Sequence, residues 1–377
     1  MKNANKSLRE IYKVIYYNPG IAKPEISPIL EMSLPAISEY VNRLLEMDLV
    51  RISEKGTSQG GRKPLLYEIN PEYRYILGID IRKHFFYLFV SDLYANILDN
   101  TLIYMKDFDF YSYLSELEES IKKFLYKNSL SMNQILSIGV SITGITDMKN
   151  KHIEYSRQLN WKDVPFSYEL ERRFSLPVFI ETDARVFAYN EIESKDPYNV
   201  VIVIFLTKGL GVSFIIDNKI FKGYTNRAGD IRFFGEELKT LMGVINKHKI
   251  ISQISDLPYY AEKFEPDMIK ALNKEFFKYL SNDIEQFISE FARFSEALIN
   301  IINPKKLVLT GNIFDLNDYI YKGVRERIKN SLNISFCPQI KRSNYNEHPL
   351  ERGIVSMIMN KFFEGNFDLK LKSGGVL

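Results

Sequence analysis

The sequence predicts an α/β fold with a small, mainly helical head and a larger body rich in β-strands. Three short segments of helical periodicity occupy the start of the chain, and two extended runs follow them before residue 70. Beyond that point, six apolar runs rich in β-branched residues predict buried strands. A length of 377 residues suits two or three domains, and 45% hydrophobic residues supply their cores.

The first two helices of the head are predicted to be short. Apolar residues from Leu8 to Ile15 recur at helical spacing, and Asn18-Pro19-Gly20 ends that helix. A second helix is predicted from about Pro24 to Leu30. Pro28 is expected to distort it, because this proline lies beyond the first turn, where a missing N–H is tolerated.

The third helix is predicted to read DNA. Ser33 is a suitable N-cap. One face of the helix is apolar and carries Ile37, Val41, Leu44 and Leu45. The predicted DNA-contacting residues of this segment are Ser33, Pro35, Ala36, Ser38, Glu39, Asn42 and Arg43. Asn and Arg donate to bases or phosphates, and Glu accepts from a cytosine amino group. The alternative is that Glu39 and Arg43, four residues apart, form a solvated ion pair.

Two extended runs, 49–52 and 64–69, follow the third helix and flank a small, basic segment. Three helices followed by a β-hairpin is the order of a winged helix-turn-helix, which predicts a DNA-binding domain over residues 1–70. Glycine lets the backbone approach DNA closely, and cations meet phosphates or a narrow minor groove. The predicted contacts at the tip of the hairpin are Gly60, Gly61, Arg62 and Lys63.

Bulk composition predicts a cytoplasmic protein with no membrane partner. The single cysteine, Cys337, cannot form an intrachain disulfide, which suits a reducing compartment. The N-terminal segment lacks the apolar core of a signal peptide, and no run approaches the roughly 18 apolar residues of a membrane helix. The net charge of +3 does not oppose DNA binding, because a small basic head can sit on a neutral body.

A series of segments along the whole chain resembles the ROK family, which includes repressors and sugar kinases. In chain order they are SLPAISEYVNRLLEMDLV, TSQGGRKPLLYEINPEYRYILGIDI, SIGVSITGITD, LNWKDVPFSYELERRFSLPVFIETDAR, FLTKGLGVSFIIDNKIFKG, RAGDI and NIINPKKLVLTGNIF. The resemblance implies an actin-like, ribonuclease H-like ATPase fold over residues 71–377. Its lobes would cover about 71–185 with the C-terminal helix, and 186–350, with ligands bound in the cleft between them.

The strand pattern agrees with this fold. The predicted strands are 75–81, 85–91, 135–142, 178–181, 200–206 and 307–310. A long helical stretch over about 267–302 separates the last two strands.

The resemblance places the base of a sugar kinase at Asp183, where ETDAR stands for the family's Glu-Asn-Asp-Ala-Asn. A carboxylate at a strand end can accept a proton or a sugar hydroxyl. The alternative is that Asp183 caps a helix starting at Ala184. Thr182 and Arg185 replace the two asparagines, the first of which contacts sugar in the family. We therefore predict a degenerate base position and no catalytic residue.

The turns that hold phosphates in the family's kinases have lost glycines here. Asp-Ile-Gly-Gly-Thr reads Asp80–His84, with Arg82 and Lys83 in place of the glycines. The second turn reads Thr207–Ser213 and keeps two glycines, and the third, Gly-Gly-Gly, reads Thr310–Asn312. Because side chains do not cheaply replace backbone amides that approach a phosphate, we predict no ATP binding, no cofactor and no enzymatic activity.

The sugar and zinc positions of the family are also altered. Glu-Ile-Gly-His reads Asp230–Phe233, so the family's zinc-binding His is replaced by Phe233. The segment 234–249, where the family has three cysteines, contains none, so the family's tetrahedral zinc site is excluded and no metal is predicted. The predicted effector contacts are Gln158, Thr182, Asp183 and Asp230. Trp161 is expected either to stack on a sugar or to pack in its lobe.

These features predict a sequence-specific DNA-binding regulator, a repressor of carbohydrate-utilisation genes. Its kinase-like domain would sense a sugar or sugar derivative and form a homodimer or dimer of dimers on palindromic operator DNA. One alternative is an ATP-dependent ROK sugar kinase with a vestigial DNA-binding head. Another is a dimerisation scaffold that binds no ligand.

Overall fold

A computed structural model of the protein describes residues 2–55, 64–107, 109–147, 151–192, 200–206, 210–231, 282–311, 314, 318–332, 337–343, 348–369 and 377. Its helices are α1 (Lys2–Tyr17), α2 (Lys23–Leu30), α3 (Leu34–Glu46), α4 (Phe110–Lys127), α5 (Phe166–Phe174), α6 (Asp183–Ala188), α7 (Asn282–Ile302), α8 (Asp318–Ser331) and α9 (Pro349–Phe363). None of these helices has the length and apolar character that a membrane span requires.

The strands fall into four sheets within the described residues. They are β1 (Ile21–Ala22), β2 (Val50–Lys55), β3 (Leu65–Ile69), β4 (Tyr75–Ile81), β5 (Phe85–Ser91), β6 (Ile97–Tyr104), β7 (Ile135–Ile142), β8 (Ile145–Asp147), β9 (His152–Ser156), β10 (Trp161–Val164), β11 (Val178–Thr182), β12 (Val201–Leu206), β13 (Leu210–Ile216), β14 (Lys219–Phe221), β15 (Lys306–Thr310) and β16 (Gln339–Arg342).

The head consists of α1, α2 and α3 against a sheet of order β1-β3-β2. The three helices and the hairpin of β2 and β3 are as the sequence predicts, whereas β1 is not predicted. Ile11, Ile37 and Val41 are fully buried between its elements. The predicted distortion of the second helix is wrong, because α2 continues through Pro28 to Leu30. Its C-cap residue, Glu31, adopts a left-handed conformation. The proline lies in the last turn of a helix of eight residues, so few hydrogen bonds depend on it.

The first lobe is a mixed five-stranded sheet of order β11-β7-β4-β5-β6. Strands β11, β7 and β4 run parallel, with β11 at the edge of the sheet, and every residue of β7 is buried. Helix α4 contributes Leu114 and Leu117 to the core on one side of this sheet. Helix α9 approaches the other side so closely that a Cβ at Gly139 would lie 2.4 Å from Ile354 Cγ2.

A small sheet of order β10-β9-β8 extends the first lobe and holds Trp161 in the core. The indole is almost completely buried and makes edge contacts with Tyr113 at 5.0 Å and Phe110 at 5.4 Å. Trp161 therefore packs within its lobe, where aromatic edge contacts add to the burial of apolar surface.

The second lobe has a five-stranded sheet of order β14-β13-β12-β15-β16. Its core contains Phe287 and Phe291 of α7, Val324 of α8, and Phe314. The predicted helix over 267–302 is observed from Asn282, and its part before that residue lies outside the described residues.

Helix α9 also contacts the head. Tyr12 of α1 meets Phe362 of α9 edge-on at 6.0 Å, and the Arg9 guanidinium lies 4.9 Å from the centre of the Phe362 ring. Arg9 also donates to Asp368 at 2.7 Å and to the backbone oxygen of Leu377 at 2.9 Å. One apolar cluster therefore continues from the head into the first lobe.

Candidate nucleic-acid interface and ligand cleft

The outer side of α3 presents the residues that the sequence predicts to contact DNA. Ile37, Val41 and Leu44 fill the core of the head on the inner side. Of the predicted contacts, Ser33, Pro35, Glu39 and Asn42 are exposed, and Ala36, Ser38 and Arg43 are partly buried. Ser33 occupies the N-cap position, but its side chain makes no capping hydrogen bond, so the expected N-cap bond is absent.

Two polar residues of this face have partners within the head. Lys23 Nζ donates to Asn42 Oδ1 at 2.9 Å, and the Arg43 guanidinium lies 5.9 Å from the centre of the Tyr40 ring. Among the described residues, no ion pair joins Glu39 to Arg43. The contact from Lys23 is not predictable from local sequence, because it joins the start of α2 to the middle of α3.

The predicted wing contacts Gly60, Gly61, Arg62 and Lys63 lie outside the described residues. The two strands that lead to them pair antiparallel, from Val50 with Ile69 to Lys55 with Leu65.

All four predicted effector residues line one cavity of about 340 Å³ between the lobes; they are Gln158, Thr182, Asp183 and Asp230. Arg82, which replaces a phosphate-turn glycine, lines the same cavity. Sequence reasoning missed further lining residues, namely Thr143, Arg157, Asn226 and Arg227. Small ligands commonly occupy clefts of about 300–1,000 Å³, so a monosaccharide-sized molecule is within range.

Arg82 connects two carboxylates at the edge of this cavity. Its Nε donates to Asp80 Oδ2 at 2.6 Å, and its Nη1 donates to Asp183 Oδ2 at 3.1 Å. The same Nη1 donates to Thr143 Oγ1 at 3.0 Å. Burial raises the pKa of Asp80, although the neighbouring Arg82 guanidinium acts in the opposite direction.

Both oxygens of Asp183 therefore accept hydrogen bonds from the protein itself. Oδ2 accepts from Arg82 and from Thr143 Oγ1 at 2.8 Å, while Oδ1 accepts from the backbone N–H of Ala184 at 2.8 Å. Asp183 is the first residue of α6, and Thr182 is its N-cap. A proton acceptor at this position would have to compete with a charge-assisted hydrogen bond from Arg82.

Arg185 lies in the wall of the cavity and joins the two lobes. It is buried, and it donates to Glu181 Oε1 at 3.1 Å on its own side of the cleft. Across the cleft it donates to Asn226 Oδ1 at 3.1 Å and to the backbone oxygens of Asn226 and Ala228 at 2.8 Å and 3.1 Å. In the sequence Arg185 is recognised only as the replacement of an asparagine, since its partners across the cleft lie about forty residues away along the chain.

Glu181 is the anionic centre of this junction. It is almost fully buried at the end of β11 and pairs with Lys222 as well as Arg185. Burial alone would raise the pKa of Glu181, but Lys222 and Arg185 outweigh it and lower that pKa below its ordinary value. Two cations on one buried carboxylate hold the strand end, α6 and the opposite loop together.

Parts of the altered kinase turns are also described. Gly211 lies in β13 opposite Phe205, and Gly311 follows β15 with φ of 101°, a conformation that favours glycine. Thr207–Gly209, Asn312, Arg232 and Phe233 lie outside the described residues. Within the described part of the chain, no three potential metal-ligand side chains cluster together.

Comparison with known proteins matches both parts of the chain. The ROK family profile matches residues 76–232, and a winged helix-turn-helix DNA-binding profile matches residues 5–51. The xylose repressor of Caldicellulosiruptor bescii is 24% identical, covering 96% of each chain.

Two solved structures share the fold. A ROK family transcriptional regulator, a homologue of the E. coli MLC protein, gives a TM-score of 0.71 at 18% identity, covering 97% of this chain and 100% of its own. The ROK hexokinase of Thermus thermophilus gives 0.55 at 14% identity, covering 76% of this chain and 99% of its own. The predicted fold class, an α/β fold with a winged helix-turn-helix followed by an actin-like two-lobed domain, is thereby confirmed.

Proposed function

We propose that this chain, which matches a winged helix-turn-helix profile and a ROK family profile, is a sequence-specific repressor of carbohydrate-utilisation genes. The protein acts in the cytoplasm and binds palindromic operator DNA as a homodimer or dimer of dimers. A sugar or sugar derivative in the cleft between the lobes changes its affinity for that DNA. The xylose repressor of similar length supports this proposal.

The observation that carries the proposal is the division of α3 into a buried and an outer side. Three apolar side chains anchor the inner side in the head with no exposed surface, while the outer side carries the polar residues Glu39, Asn42 and Arg43. A short helix held this way can enter the major groove, which is about 12 Å wide.

The ion pair of Arg82 supports a regulator over a kinase. Where a kinase that this chain resembles has a glycine, the guanidinium reaches both Asp80 and Asp183. It fills space at the first phosphate turn and engages the carboxylate that would act as base. The likeness to the hexokinase concerns the fold, so the absence of kinase activity is part of the proposal.

The cleft supports a polyol ligand. Asp183 and Asp230 offer carboxylate oxygens to hydroxyl groups, and Gln158 and Thr182 can donate as well as accept. A ligand bound to Thr182 and Asp183 contacts the start of α6. Because α6 packs on α9, and α9 packs on α1 of the head, a ligand that favours one position of α6 shifts the population of head positions.

The test is DNA binding by the full chain. At low salt, a gel-shift assay with the DNA upstream of its own gene is expected to give a retarded complex that unrelated competitor DNA does not abolish. Arg43→Ala should weaken this complex at least tenfold, the size of one good base or phosphate contact. Arg293→Ala removes an exposed helical arginine from the body and should leave it unchanged.

A purified chain that gives no retarded band would contradict the proposal. Given ATP and a panel of hexoses, pentoses and amino sugars, the same preparation is expected to transfer no phosphate. Turnover with any of these sugars would instead favour the kinase alternative.

A further inference from the structure

We propose that Leu34, at the first turn of α3, recognises the methyl group of thymine in the operator. The proposal rests on the DNA-binding function and specifies what the head reads. Leu34 is 45% exposed, whereas Ile37, Val41 and Leu44 of the same helix are completely buried. Leu34 is thus an apolar side chain of α3 that the head does not use for its own core.

The first turn of α3 carries no charged side chain. Pro35 and Ala36 complete the first turn of α3, which carries no acidic residue. Ile29, near the end of the preceding helix α2, is 52% exposed. The N-terminal end of α3 therefore presents an exposed apolar side chain, Leu34, next to the exposed N-cap residue Ser33.

The charged and amide groups of α3 lie further along the helix. Arg43 belongs to its last turn and lies over Tyr40, and Asn42 is held by Lys23. Glu39 and Glu46 give the helix two acidic residues against one arginine. Since the N-terminal residues of a recognition helix contact base edges, Leu34 is placed to read a base here, alongside the hydroxyl groups of Ser33 and Ser38.

Thymine is the base that fits this chemistry. Of the four bases, it alone offers an apolar group, the C5-methyl, on the floor of the major groove. Burial of one methyl against Leu34 excludes water from both and favours thymine over a base without that methyl. Leu34 would thereby be a specificity-determining residue, while cations elsewhere in the head supply affinity for phosphates.

The experiment removes the methyl without changing any hydrogen bond. The preferred operator is selected from randomised duplexes with the full chain, and each of its thymines is then replaced by uracil. At one fixed salt concentration, at least one uracil per half-site is expected to weaken binding about fourfold, the factor that burial of one methyl corresponds to.

Two variants assign that loss to Leu34. In Leu34→Ala the ratio of the affinities for the thymine and uracil operators should fall towards one. In Leu34→Met that ratio of affinities should be kept. Leu98→Ala is the matched control, because Leu98 of β6 is 46% exposed on the body, and it should keep the full ratio.

The outcomes separate this inference from the proposed function. Specific binding with no thymine sensitive to loss of its methyl overturns the inference and leaves the repressor function standing. A ratio unchanged in Leu34→Ala overturns it too, by assigning the methyl to another residue. If no duplex is enriched by selection, the DNA-binding function itself fails.

Discussion

Arg82 stands where the kinases that this chain resembles have glycine, and its guanidinium reaches two carboxylates at once. Asp80 is fully buried, and Arg82 Nε donates to its Oδ2 at 2.6 Å. Asp80 therefore depends on Arg82 for compensation of its charge, because an unpaired buried carboxylate is costly.

Replacement of Arg82 is expected to destabilise the protein in a pH-dependent way. Arg82→Ala should lower the free energy of unfolding by about 3 kcal/mol at pH 7, since it leaves a buried carboxylate without its cation. The deficit should shrink as the pH falls towards 5, because the pKa of Asp80, already raised by burial, rises further without Arg82 and the group becomes neutral.

Urea denaturation at several pH values measures this effect. Arg172→Ala, which removes an exposed arginine paired to Glu169, is the control and should leave the midpoint unchanged at every pH. A deficit that is absent, or that grows on acidification, would contradict the role given to Arg82.

At this scale the sequence predicts which residues meet, but not how they pair. Gln158, Thr182, Asp183 and Asp230 line one cavity, and motifs in the family's order imply such a common cleft. That they bind an effector stays a prediction. The pairing of Arg82 with Asp183 joins residues about a hundred positions apart, so no local pattern encodes it. In the sequence Arg82 is recognised only as the replacement of a glycine. The fold shows that its guanidinium pairs with two carboxylates.

Among the elements, α9 contacts the first lobe, α6 and the head. It packs on β7 and β4 of the first lobe, on α6 beside the cavity and on α1 of the head. A Cβ at Gly353 would lie 2.3 Å from the backbone oxygen of Val186, so glycine lets α9 touch α6. Through this helix the ligand cleft and the head are in physical contact.

The contact of α9 with the head can be tested at Phe362. Phe362→Ala should cost about 3–5 kcal/mol, the usual effect of a large cavity in a core. Its local effect should be increased hydrogen exchange in α1, because the ring packs on Tyr12 and Arg9. The affinity of Phe362→Ala for operator DNA should fall as well.

Phe314→Ala is the matched control, since Phe314 is equally buried but packs on Phe291 in the second lobe. It should cost a similar free energy of unfolding while leaving exchange in α1 unchanged. Equal exchange in α1 for both variants would show that the head does not depend on α9.

Element boundaries follow from the sequence wherever one physical signal dominates. Strands β4, β5 and β7 begin and end at the predicted residues, because continuous apolar runs indicate strands buried on both faces. The prediction for Pro28 fails because tertiary contacts of α2 with α1 and α3 outweigh one unfavourable residue near a helix end. The docking of α1 on α9 joins the two ends of the chain, and helical periodicity cannot reveal it.

For the whole molecule, regulation of DNA binding by a ligand requires that the cleft and the DNA-binding head share one conformational equilibrium. Arg185 and Asn226 join the lobes across the cavity, and α6 and α9 continue that contact to α1. By thermodynamic linkage, a ligand that changes operator affinity must be affected by operator to the same degree.

The most direct test is to measure both affinities on one preparation of the full chain. A thermal-shift screen of sugars and sugar phosphates first identifies a ligand, and fluorescence anisotropy then gives operator affinity with and without that ligand at fixed salt. We expect a change of about 5- to 150-fold in operator affinity, and an equal factor in ligand affinity when operator is added. A ligand that stabilises the protein but leaves operator affinity unchanged would contradict the account.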